Sequence, residues 1–129
     1  MAEDWTFDVE LWPVLVIQAP PVLTFRNWRK VFRELEDWLQ QPWPTRKVFV
    51  TLEGGAPGFL HALDASPWFL RNRELMKEQL FGWGLVLPTP RVSLAVQFML
   101  WLGPVPVPTP IFETKADAMV WALGLLRSG

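Results

Sequence analysis

The residues with the most chemistry in this chain stand close together. His61 is the only histidine, and Asp64 and Ser66 follow within five positions. Serine, histidine and aspartate are the ingredients of a nucleophilic triad. Such triads draw their members from distant parts of a chain, because three side chains must converge on one point. Neighbours along one turn do not meet that requirement, so no catalytic residue is expected. Ser66 is followed by Pro67, a pairing typical of a helix start: serine as cap, proline in the first turn. As a cap Ser66 contributes about 1 kcal/mol. As a phosphosite it would gain a charge of about −1.5 to −2 beside a helix amino end, where anions are tolerated.

A second candidate is Gly54-Gly55-Ala56-Pro57-Gly58, followed by Phe59. No Lys-Ser/Thr pair follows, so it is not a nucleotide phosphate loop, and its spacing is not a dinucleotide fingerprint. Gly54, Gly55, Gly58 and Phe59 remain a ligand-loop candidate by position, at the carboxyl end of a strand where open α/β sheets bind ligands. No metal site is expected. Glu3, Asp4, Asp8 and Glu10 are strung along a strand, while Glu34, Glu36 and Asp37 interleave with basic residues as surface pairs do. With no cysteine, thiolate ligands, cysteine nucleophiles and disulfides are excluded. No cofactor is implied.

These residues need elements to hold them. Trp5 to Leu11 alternates apolar and polar, as a strand with one wet face does. Val14 to Ile17 is a continuous β-branched run suited to a strand covered on both faces. The short gap between them predicts an antiparallel hairpin. Thr24 caps a helix whose apolar face recurs at steps of three and four from Phe25 to Leu39; Pro42 and Pro44 stop it. Lys47 to Leu52 is a third strand. Ser66-Pro67 opens a second helix that Gly82 closes, and Leu85 to Leu87 is a fourth strand. Thr89-Pro90 opens a third helix, to Leu102. Pro104, Pro106, Pro108 and Pro110 then impose an extended path that cannot run inside a sheet. Ile111 to Glu113 is an edge strand, and Thr114 caps a closing helix to Leu126.

Strands alternating with helices predict an α/β fold: one mixed sheet of four to five strands with an opening antiparallel hairpin, and four helices. At 129 residues the chain is expected to form a single domain, 1–129. Half of it is hydrophobic and the formal net charge is −1, which excludes disorder and gives no electrostatic footprint for nucleic acid. No signal peptide, lipidation signal or membrane span is legible, so the cytoplasm is the expected compartment.

This order of elements, with the short strand Ile111-Phe112 and the closing helix from Thr114, resembles the STAS domain of bacterial anti-sigma-factor antagonists. It resembles equally the STAS-like proteins of unassigned function. In the antagonists an Asp-Ser-Ser-Gly-like turn after the third strand opens the second helix, and a partner kinase phosphorylates a serine there. The matching stretch is Asp64-Ala65-Ser66-Pro67. The resemblance therefore puts Ser66 on the phosphorylatable position, with Pro67 in place of glycine. It implies a non-catalytic domain that works by binding other proteins.

The third helix points the same way. From Val92 to Leu102 only Ser93 and Gln97 are polar, so this helix is apolar all round. Positions 82–129 hold only five charged residues. Either neighbouring elements cover this helix or another subunit does. In the second case Phe98, Met99, Trp101 and Leu102 form a protein interface, since aromatics and methionine are enriched at interface cores. The leading expectation is a STAS-like interaction or regulatory domain that self-associates, plausibly as a homodimer. The alternative is a protein that binds an apolar small molecule or lipid near Gly54 to Phe59.

Overall fold

The computed structural model describes residues 4–41, 46–52, 54, 59–87, 97, 101 and 105–128. Strands β1 (Thr6–Asp8), β2 (Val14–Gln18), β3 (Lys47–Leu52), β4 (Leu80–Val86) and β5 (Ile111–Phe112) form one sheet in chain order. β1 pairs antiparallel with β2; every later pairing is parallel. Helices α1 (Phe25–Gln40), α2 (Phe59–Arg71), α3 (Arg73–Gln79) and α4 (Lys115–Ser128) complete the described elements. The expected α/β architecture with its opening hairpin and its edge strand is present.

The two sheet faces carry different side chains. One holds Leu15, Ile17, Phe49, Trp83 and Leu85 and packs on α1, α2 and α3. Aromatic rings run through this layer from Trp28 to Phe32 (5.0 Å), Trp68 (4.9 Å) and Phe69 (5.1 Å), then Trp83 (6.1 Å) and Phe49 (5.2 Å). Tilted and edge-to-face contacts like these each add about 0.5–1.5 kcal/mol beyond burial. The Trp83 indole N–H donates to Thr51 Oγ1 (2.8 Å), and that of Trp28 to the His61 carbonyl (2.9 Å). The high tryptophan content thus serves a layered core.

The opposite face is built from Val14, Val16, Val48, Val50 and Val86, covered by Ala118 and Ala122 of α4. Small residues on both sides let this helix approach closely. Gly82 and Gly84 of β4 are part of the same device. A Cβ at Gly82 would lie 2.8 Å from Trp121 Cη2, and one at Gly84 would lie 2.9 Å from Trp121 Cζ3. Gly82 is therefore a strand residue under an indole, not the end of a helix as its local sequence suggests. The second helix stops at Gln79, and β4 begins at Leu80, five residues ahead of the expected strand.

That second helix also begins earlier than expected. α2 opens at Phe59, and Pro67 lies inside it. An interior proline removes one helical hydrogen bond, here to the Leu63 carbonyl, and is costly in isolation. Leu63 and Pro67 both lie on the exposed side, where water can donate to that carbonyl. On the inner side Ala62, Ala65, Trp68 and Phe69 are buried. Packing outweighs the local proline signal.

Two caps behave as the sequence suggests. Thr24 Oγ1 accepts from the Asn27 N–H (3.1 Å) while Asn27 Oδ1 accepts from the Thr24 N–H (2.9 Å), a reciprocal box closed by asparagine. Thr114 Oγ1 accepts from the Asp117 N–H (3.2 Å) at the head of α4. The proline segment is extended beside β4: the N–H groups of Trp83 and Leu85 donate to the carbonyls of Pro108 and Pro110, each at 2.9 Å. Those prolines have no N–H to return, so regular pairing begins only at Ile111.

Lys47 is the unexpected buried charge, with a relative exposure of 0%. Its Nζ donates to the Leu39 carbonyl (3.3 Å), in the last turn of α1, and to Gln79 Oε1 (2.9 Å) at the end of α3. Two helix carboxyl ends converge on one ammonium, the arrangement that the helix dipole favours. Burial nonetheless pushes the Lys47 amine below the usual lysine range.

Candidate functional site

The helical layer beside β2 and β3 carries the sequence-predicted residues. His61 sits in the first turn of α2 as a packing group. It stacks on Phe25 (centroids 4.8 Å apart) and meets Trp28 edge-on (5.4 Å). Asp64 is held from α1 by Arg29, with Nη2–Oδ1 at 2.9 Å and Nε–Oδ1 at 3.2 Å. Ser66 is two residues beyond Asp64 in a continuous helix, so about 200° of helical rotation separates them. The three side chains are not brought to one point.

The readings that depend on Ser66 opening a helix need correction. It lies mid-helix, half-buried, and is not a cap. The segment that precedes α2, residues 53–58, contains no serine or threonine. Ser66 therefore stands seven residues into α2 rather than at its opening. Sequence reasoning went astray because Ser-Pro carries a strong local start signal, while the true start rests on buried alanines that carry none.

At the glycine loop, Gly54 is fixed by contact. A Cβ there would fall 2.3 Å from the Ala19 carbonyl oxygen and 2.6 Å from that of Pro20. Glycine is required at 54 because this residue lies on the backbone leaving β2, so a packing role accounts for it without a ligand. Phe59 opens α2, and its side chain, with Gly55 and Gly58, lies outside the described residues. The third helix from Thr89-Pro90, with Phe98, Met99 and Leu102, lies outside them too. Gln97 and Trp101 are described, both helical, and Trp101 is 76% exposed.

The described cavity is a groove of about 300 Å³ between α1 and α2, floored by Phe32 and Trp68. Its rim holds two ion pairs, Arg29–Asp64 and Arg71–Glu36 (3.1 Å), with Arg33 between them. Burial raises the Glu36 carboxyl, but donors from Asn72 and Arg71 outweigh it and hold the group below the usual carboxylate range. This is a charged, shallow site. It is open to solvent and encloses no apolar volume of its own. Among the described residues no three or more His, Asp or Glu cluster as metal ligands would, and no helix is long and apolar enough to cross a membrane.

One signal was missed in the sequence. Leu60, Leu63 and Leu70 are 67%, 50% and 57% exposed, and Pro67 between them is exposed as well. They fall on one side of α2. Their spacing is readable only once the helix is known to begin at Phe59.

Comparison with solved structures finds a match over 92% of this chain and 91% of the other, with a TM-score of 0.60 and 17% identity. The matching protein is an uncharacterized member of the DUF3478 family with a SpoIIAA-like fold, from Shewanella loihica PV-4. No family model matches the sequence, and no curated protein matches it significantly. The chain therefore has the SpoIIAA-like, that is STAS-like, α/β fold.

Proposed function

We propose that this chain is a non-catalytic STAS-like domain that acts by binding protein, a second copy of itself included. The observation that carries this reading is the exposure of large apolar side chains: Trp101, and the three leucines of α2. Contiguous apolar surface on a folded domain marks an interaction site more often than not. The absence of convergence among His61, Asp64 and Ser66 adds support, because the polar residues best suited to chemistry are committed to packing and ion pairs. A regulatory role follows if the bound protein is itself controlled by the association. Sedimentation of the full chain at micromolar concentration tests the reading. Reversible association above the 14.9 kDa monomer is expected. A strict monomer, with Trp101→Glu changing neither sedimentation nor solubility, refutes self-association.

A further inference from the structure

The apolar row on α2 has an internal symmetry. Leu60, Leu63, Pro67 and Leu70 follow one another at spacings of three, four and three residues, a pattern identical in both directions. At 100° per residue the four lie within an arc of about 80°. All four are exposed, while the opposite side of the helix buries Ala62, Ala65 and Phe69. A two-fold contact is self-complementary: a residue meets its counterpart's partner, and the reverse. A row that is the same in both directions meets that condition when two copies of α2 pack antiparallel. Leu60 then faces Leu70 of the second copy, and Leu63 faces Pro67.

The ion pairs fix the level of α1 against α2. Arg29 pairs with Asp64 and Glu36 with Arg71, both at a separation of 35 residues, so α1 and α2 run in the same direction side by side. Arg33 thus stands beside the level of residue 68, and it forms no ion pair among the described residues. In an antiparallel pair centred on residue 65, α1 of each copy lies on the same side of the contact. Arg33 then comes within about 3 Å, along the helix direction, of the level of Asp64 in the second copy. At that level the second copy holds its own Arg29–Asp64 ion pair.

We propose that α2 is a homodimer interface, formed by antiparallel packing of the Leu60–Leu63–Pro67–Leu70 row against the same row of a second copy. This rests on the self-association proposed above and assigns it to α2 rather than to the segment around Trp101. One helix of 13 residues makes a contact at the low end of interface sizes, so the dissociation constant falls on the order of micromolar.

The chain has no cysteine, so introduced cysteines report on this contact without background. Leu60→Cys and Leu70→Cys proteins are mixed and mildly oxidised, and each is also oxidised alone. Positions 60 and 70 face each other across the axis, whereas two copies of position 60 stand about 15 Å apart along the helix. A disulfide-linked dimer is expected from the mixture and not from either protein alone. In parallel, sedimentation of full-length Leu63→Glu, with Leu70→Glu as the second variant and far-UV circular dichroism as the fold control, should show at least tenfold weaker dimerisation. Trp101→Glu should dimerise unchanged. If wild type dimerises but Leu63→Glu and Leu70→Glu do so equally well and the mixture does not cross-link, the α2 assignment fails while self-association stands. If the single-cysteine proteins cross-link alone as readily as mixed, the antiparallel register fails. A strict monomer on the order of 100 μM overturns both the assignment and self-association.

Discussion

Replacing Gly84 with alanine should destabilise the protein, and removing the Trp121 ring should reverse the sign of that effect. The added methyl group would stand 2.9 Å from Trp121 Cζ3 and 3.3 Å from Cε3, with Phe112 Cε2 at 3.4 Å. Carbon atoms prefer about 3.5–4.0 Å. The indole is rigid and wedged between β4 and α4, so the strain must be absorbed by the helix. Overpacking of this kind costs about 1–3 kcal/mol. Alanine is also better than glycine within a strand by about 0.5–1 kcal/mol. The net expectation for Gly84→Ala is a loss of about 0.5–2 kcal/mol. In a Trp121→Leu background the clash is gone and only the backbone gain remains, so the same substitution should stabilise by about 0.5–1 kcal/mol. Urea unfolding of wild type, both single variants and the double variant, followed by far-UV circular dichroism, measures the coupling directly. If Gly84→Ala has the same effect in both backgrounds, the glycines are not there to receive the indole, and the account of this sheet face is wrong.

Three further outcomes are expected. Gly54→Ala, whose Cβ would meet backbone oxygen at 2.3 Å, should lower the urea midpoint more than Gly84→Ala does, because backbone cannot rotate away. Lys47 holds its proton less tightly when folded, so the unfolded chain binds more protons below the ordinary lysine value, and wild-type stability should rise as pH climbs toward that value, about 10.4. Lys47→Met should flatten that slope in urea titrations; an unchanged slope refutes the assignment. Glu36→Gln should cost about 0.5 kcal/mol at neutral pH, since its pair with Arg71 is largely exposed. Because the Glu36 carboxyl is held low in the folded state, that stability is present above the ordinary carboxyl range and lost as pH falls through the folded value. The two proteins should therefore converge in acid.

The architecture was legible where local pattern and tertiary role agree. Val14 to Ile17 and Val48 to Val50 are continuously apolar because both sheet faces are covered there, and Thr24 and Thr114 cap helices through bonds to residues three positions on. Misreadings arose where a residue answers to something far away in sequence. Gly82 carries a helix-stop signature, yet it is glycine because of a tryptophan 39 residues later. Pro67 carries a helix-start signature, yet the surface it leaves exposed tolerates it mid-helix. Lys47 passes as an ordinary polar strand end, and only the meeting of α1 and α3 explains its burial. The apolar row of α2 was hidden behind the same error at Pro67, since a helix begun at Ser66 leaves Leu60 and Leu63 in a loop.

The placement of α4 has a consequence for the order in which the protein is made. Strands β1 to β5 and helices α1 to α3 can each dock on a neighbour already synthesised, because the sheet is laid down in chain order. The valine face is different. Among the described helices, only α4, Lys115–Ser128, covers Val14, Val16, Val48 and Val50. At about 5–20 residues per second the 14 residues of α4 take roughly 1–3 s to translate. Until α4 docks, no other described helix packs on the valine face. A ribosome stalled before Lys115 would hold a chain whose valine face lacks α4, and docking of that helix is the event that closes this face.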